Sequence, residues 1–102
     1  MSEIEYDEQL VKKTRRKMKP PQSYKVLLHN DNYTTMEFVV FILETVFKKS
    51  LAEATQIMIH VHQNAIGVCG SYSFEVAETK VESVHGLAKQ YEYPLQATIE
   101  EN

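Results

Sequence analysis

The chain of 102 residues has room for one domain around one core. Hydrophobic residues at 43% and charged residues at 25% are ordinary for a globular protein, and no apolar run approaches the roughly 18–20 residues that span a bilayer. Residues 1–19 hold no apolar signal-peptide core and the single cysteine, Cys69, has no internal partner, so a soluble, reducing, cytoplasmic setting is expected.

The net charge of −3 is unevenly spread. Glu3, Glu5, Asp7 and Glu8 open the chain, and Lys12, Lys13, Arg15, Arg16, Lys17 and Lys19 follow. Blocks of like charge with few large apolar residues cannot offset the entropy of folding. Residues 1–21 therefore read as a mobile N-terminal extension with at most a transient helix around residues 8–18, and residues 22–102 as the core domain. The basic block suits RNA, an acidic partner or simple solubilisation. From Pro20 onward five basic residues face ten acidic ones, so the body suits a cationic ligand better than nucleic acid.

Tyr24-Lys25-Val26-Leu27-Leu28 follows a Pro-Pro pair and is rich in strand formers, predicting a first strand. After the polar loop His29 to Tyr33, Thr34 and Glu37 have the spacing of a capping box. They predict a helix from Met36 to Lys48. Ser50 and Glu53 repeat that spacing and predict a second helix to about His62 or Gln63. Ile66 to Cys69 is short and branched, as a strand requires, and Gly70 to Ser73 breaks the pattern. Ala77, Val81, Val84, Ala88 and Tyr91 recur at gaps of four and three, predicting a third helix that Pro94 stops. Leu95, Ala97 and Ile99 alternate with polar residues, as in a strand with one buried face. The expected fold is α+β: a βααβαβ sandwich with a three-stranded, mainly antiparallel sheet and three helices on one face.

Few residues suggest chemistry. Cys69 in a strand reads as a small buried hydrophobe, with no local signature of a nucleophile. His60 and His62 are two apart on a helix and do not share a face, so no metal site and no cofactor are expected. His62 lies four residues after Met58 and borders the apolar stripe. Asn30, Asp31 and Asn32 suit an ordinary turn, or a binding loop between strand and helix with Met36 and Met58 as adaptable lining.

The run Tyr24-Lys25-Val26-Leu27-Leu28-His29-Asn30-Asp31-Asn32-Tyr33-Thr34-Thr35-Met36-Glu37-Phe38 resembles the opening signature of the ClpS adaptor family. Ala54 to His62, Val68-Cys69-Gly70 and Glu75 to Lys80 resemble its other hallmarks, in order and spacing. The resemblance implies an adaptor, not an enzyme, that binds proteins beginning with Leu, Phe, Tyr or Trp (N-degrons). Such an adaptor delivers them to a Clp AAA+ unfoldase paired with the ClpP peptidase. By matching position, it implies that Asn30, Asp31, Asn32 and His62 hold the substrate's α-amino group. Leu28, Thr34, Met36, Val39, Met58, Val61 and Leu95 would form or border the side-chain pocket. Glu75 and Lys80 would dock on the N-terminal domain of a ClpA- or ClpC-type unfoldase, and the N-terminal extension would serve delivery. A monomer without nucleic-acid or membrane partners is expected.

Four positions depart from the family pattern: Asn32 stands for a second acid, Thr35 for a proline, His60 for a small residue, and Gln63-Asn64-Ala65 for a turn usually holding glycine. Asn64 is the expected positive-φ residue. The competing readings are a small RNA-binding or ribosome-associated α+β domain using the basic arm, which needs basic and aromatic residues on the sheet, and a small Cys-His hydrolase.

Overall fold

A computed structural model describes residues 22–102, so the expectations for the N-terminal extension lie outside the described residues. The elements are β1 (Tyr24–His29), α1 (Met36–Thr45), α2 (Leu51–Asn64), β2 (Ile66–Tyr72), α3 (Phe74–Gln90) and β3 (Gln96–Glu101). Their order is βααβαβ, as the periodicities predict. The three strands form one antiparallel sheet in the order β2-β1-β3.

Alternation along the strands separates the two faces of the sheet. Val26 and Leu28 in β1, Cys69 in β2 and Ala97 in β3 join one core cluster with Phe38, Ile42 and Leu43 of α1, Ala54 and Val61 of α2, and Ala77, Val84 and Ala88 of α3. All three helices thus contribute to one sheet face. The register pairs Leu27 with Val68 and Thr98, and His29 with Ile66 and Gln96, on the other face. That face carries a single lysine, Lys25, paired with Ser71 and Glu100, and not the stacked aromatic residues that RNA recognition on a sheet requires.

Strand β2 is longer than its sequence pattern implies, because a bulge absorbs the break. Val26 pairs with Gly70 and Leu27 with Val68, so Cys69 is the extra residue. Gly67, also in β2, has a positional reason: a Cβ there would collide with Cγ2 of Val61, so its absence lets β2 approach α2.

Helix boundaries differ from expectation where the backbone reverses. Thr35, not Thr34, caps α1: its Oγ1 accepts the Phe38 N–H at 3.1 Å. Helix α1 ends at Thr45 rather than Lys48. Lys48 takes φ 56°, and the Lys49 N–H returns to the Leu43 carbonyl at 3.1 Å. Ser50 caps α2 as expected, accepting the Glu53 N–H at 3.2 Å and donating to its carboxylate. At the other end of α2 the left-handed residue is Ala65, at φ 71°, not Asn64. The Asn64 side-chain amide instead donates to the His60 carbonyl at 3.0 Å. Helix α3 stops before Pro94 through Glu92 at φ 64°. The Tyr93 N–H reaches the Ala88 carbonyl and the Glu92 N–H that of Lys89, in the Schellman arrangement.

Candidate functional site

The β1–α1 loop is organised by one carboxylate. Asp31 Oδ1 accepts the Tyr33 N–H at 2.8 Å and the Thr34 N–H at 2.6 Å, while Oδ2 accepts Thr34 Oγ1 at 2.7 Å. Burial pushes the Asp31 carboxyl up, but the bonds from Thr34 and Tyr33 outweigh it and hold the group below its ordinary value. It therefore carries its charge throughout the neutral range. A carboxylate has about four lone-pair sites, and three are engaged within the loop. The loop is tied to the far end of α2 by the Asn30 N–H, which donates to the Ala65 carbonyl at 2.8 Å. That bond brings the Asn30 segment beside the residue that follows α2, three positions beyond His62.

Between this loop, the start of α1 and the last turns of α2 lies a cleft of about 410 Å³. Its lining includes Asn30, Asp31, Asn32 and His62, together with Thr34, Met36, Val39, Met58 and Val61. That volume falls within the range of about 300–1,000 Å³ usual for ligand sites. The polar residues supply acceptors and the α1 and α2 residues supply apolar surface. Val39 and Val61 are buried, Met58 is half-buried and Met36 is exposed. His62 is exposed on the last turn of α2.

Two residues named with the pocket from the sequence are not in this lining. Leu28 is fully buried in the core cluster that also holds Val39 and Val61. Leu95, also buried, lines a separate hollow of about 270 Å³ with His85, Tyr93 and Pro94. Conversely, Tyr33 and Thr35 line the cleft, although sequence reasoning assigned neither to the pocket. The signal for Tyr33 was a lone aromatic amid five polar residues. For Thr35 it was the N-cap position, hidden by the neighbouring Thr34.

Glu75 is exposed in the first turn of α3. Lys80, one and a half turns on, is half-buried: its Nζ donates to the Val46 carbonyl at 2.7 Å and lies 5.2 Å from the centre of the Tyr72 ring. The two do not meet the cleft. Lys80 borders a larger hollow of about 610 Å³ between α1 and α3, lined by Thr45, Lys48, Ser83 and Gln90 among others and lacking the acidic and imidazole acceptors of the cleft.

Other chemistries find little support. Cys69 is 1% exposed and burial pushes its thiol up to about 12, so it is protonated at neutral pH and shielded from any substrate. Among the described residues no three His, Cys, Asp or Glu side chains are grouped to hold a metal ion. Among them, too, no helix is long and apolar enough to cross a membrane.

Residues 19–98 match the family model described as "ATP-dependent Clp protease adaptor protein ClpS". The chain is 56% identical over 91 residues to an ATP-dependent Clp protease adapter protein ClpS of Parvibaculum lavamentivorans, covering 89% of this chain and 83% of the relative. A ClpS of Hyphomonas neptunium is 57% identical over 91 residues, covering 89% of this chain and 77% of the relative. The fold is similar to a solved structure of Agrobacterium tumefaciens ClpS2 bound to L-phenylalaninamide. That match has a TM-score of 0.78 and 35% identity, and covers 81% of this chain and all of the other.

Proposed function

The chain belongs to the ClpS family of ATP-dependent Clp protease adaptors, and from that premise we propose how its cleft performs the adaptor's task. The protein binds substrates whose first residue is Leu, Phe, Tyr or Trp and hands them to a Clp unfoldase. The observation that carries this reading is the composition of the cleft, whose lining combines the hydrogen-bond acceptors Asn30, Asp31 and His62 with the apolar side chains Met36, Val39, Met58 and Val61.

A free α-amino group has a pKa of about 7.7–8.0 and is mostly an ammonium at neutral pH. Its three donors are met by the remaining lone pair of Asp31, the side-chain carbonyl of Asn30 and a ring nitrogen of His62, with the Asn32 amide beside them. Each such charge-assisted bond contributes about 1.5–3 kcal/mol. The first side chain enters between Met36, Val39, Met58 and Val61, where burial contributes roughly a further 1.5–3 kcal/mol. After the cost of association, micromolar or somewhat tighter binding is expected. Selectivity then comes from shape. Met36 crowds side chains branched at Cβ, and Asn32 leaves the amine with a single carboxylate partner.

The protein acts as a monomeric binding module in the cytoplasm, with no catalytic step of its own. Its partner is the N-terminal domain of a ClpA- or ClpC-type unfoldase, docked over Glu75 and Lys80. The N-terminal extension serves delivery rather than binding, so deletion of residues 1–19 leaves peptide affinity unchanged and stops degradation of a model substrate.

The test is fluorescence anisotropy with labelled peptides that differ only at the first residue. Phe and Leu peptides bind, while Ile and N-acetylated Phe peptides fail. Equal binding of the acetylated peptide would refute amine recognition.

A further inference from the structure

The cleft is graded in depth, and the gradient says how a bound chain must leave it. Val61 and Val39 are 2% and 8% exposed and belong to one core cluster with the fully buried Leu28, Ile42 and Leu43, so the inner end is closed. Met36 is 47% exposed and Tyr33 is 79% exposed, the highest value of any large hydrophobic side chain among the described residues. A chain with its first side chain at the inner end can continue only through the open mouth, where Tyr33 stands.

Tyr33 combines a fixed backbone with an uncommitted ring. Its N–H is held by Asp31 Oδ1 at 2.8 Å, which sets where the side chain leaves the loop. Among the described residues its hydroxyl has no hydrogen-bond partner and its ring packs on no other aromatic. An aromatic ring left in water beside a ligand cleft gains apolar burial only when something lies against it. Its π face also attracts cations, and the body's excess of acidic residues adds to that preference.

We propose that Tyr33 forms a second-residue subsite, its ring face packing on the side chain that follows the N-terminal residue. The substrates it favours have arginine or an aromatic residue second, over glycine. The inference rests on first-residue recognition as proposed above and adds a second position to it. Because the ring is exposed and the Asp31 bond uses the backbone, truncating the side chain leaves the fold and the Asp31 loop intact; since Tyr33 also lines the cleft, its variants are read as ratios between peptides, each against its own Phe-Gly affinity.

The experiment compares Phe-Arg, Phe-Tyr, Phe-Gly and N-acetyl-Phe-Gly peptides of otherwise identical sequence, by anisotropy at two salt concentrations, on the wild type and on Tyr33→Ala and Tyr33→Leu. Wild type should bind Phe-Arg and Phe-Tyr about two- to fivefold more tightly than Phe-Gly, the scale of an exposed cation–π or aromatic contact. Tyr33→Ala should abolish both gaps relative to its own Phe-Gly affinity, and Tyr33→Leu should abolish the arginine gap. A gap that is absent in wild type, or that survives in Tyr33→Ala, overturns the subsite while amine-dependent binding of Phe-Gly stands. If Phe-Gly and its acetylated form bind alike, first-residue recognition fails and the subsite falls with it.

Discussion

Asp31 accepts two hydrogen bonds from Thr34, from its N–H at 2.6 Å and from its hydroxyl at 2.7 Å. The carboxylate that lines the cleft therefore also organises its own loop. Held below its ordinary value by these bonds and by the Tyr33 N–H, Asp31 contributes stability at pH values above its unfolded pKa of about 3.9. That contribution is lost as the pH falls through the lower folded value. Thr34→Val deletes the hydroxyl donor, so the folded pKa rises toward the unfolded one and the contribution at neutral pH shrinks. The expected result is a lower urea midpoint at pH 7 and a smaller difference from wild type below pH 3, followed by circular dichroism.

Asp31→Asn separates the two roles. The amide can still accept from the Tyr33 and Thr34 N–H groups, but the charge is gone. A charged acceptor is worth about 1–1.5 kcal/mol more than a neutral one. Affinity for a Phe peptide should therefore fall about tenfold with the fold retained. An unchanged affinity would show that Asn30 and His62 hold the amine unaided.

His62→Ala removes an exposed side chain on the last turn of α2, so the thermal midpoint should stay within about 1–2 °C of wild type. If the imidazole accepts from the ammonium, peptide affinity should fall tenfold or more. Wild-type binding should itself weaken above about pH 8, as the free amine loses its proton. A peptide titration across pH 6–9.5 checks both expectations.

The helices were legible because each buries a stripe with a 3.6-residue period. Their ends were not, and the reason is specific. Lys48, Ala65 and Glu92 carry the left-handed reversals, and none is the glycine or asparagine that would announce one. Thr34 and Thr35 are chemically equivalent caps, and only the diversion of Thr34 to Asp31 decides between them. The cleft was legible chiefly through family resemblance, because His62 is distant in sequence from Asn30. The bond from Asn30 to Ala65 that draws these segments together is backbone to backbone and leaves no mark on the sequence. Turn chemistry and ligand binding were rival readings of Asp31. Its bonding makes the first real without excluding the second.

Ala65 at φ 71° suggests a stabilising change. A left-handed conformation costs an alanine about 1–2 kcal/mol, and glycine avoids that cost but loses more chain entropy on folding. Ala65→Gly should raise the unfolding free energy by up to about 1 kcal/mol, read from urea titrations. Because the Ala65 carbonyl that holds Asn30 is unchanged, peptide affinity should hold. Two residues further on, Gly67→Ala should do the reverse. Its Cβ would meet Val61, and overpacking costs about 1–3 kcal/mol. Since Val61 also lines the cleft, peptide binding should weaken in parallel.

Lys80 is the residue at which proposed docking and internal structure overlap. Its ammonium meets the Val46 carbonyl at the C-terminal end of α1, where helix carbonyls lack partners and the dipole favours a cation. Tyr72 and Phe47 add ring faces 5.2 and 5.8 Å away. Lys80→Met keeps the aliphatic stem and removes the charge, so stability should drop by about 1–2 kcal/mol. Glu75→Lys, on an exposed side chain at the start of the same helix, should leave the urea midpoint unchanged. If both residues also contact the unfoldase, both variants should bind Phe peptides normally and fail in delivery, while only Lys80→Met melts early. A Lys80→Met protein as stable as wild type would remove the internal role and leave docking as the reason for the lysine.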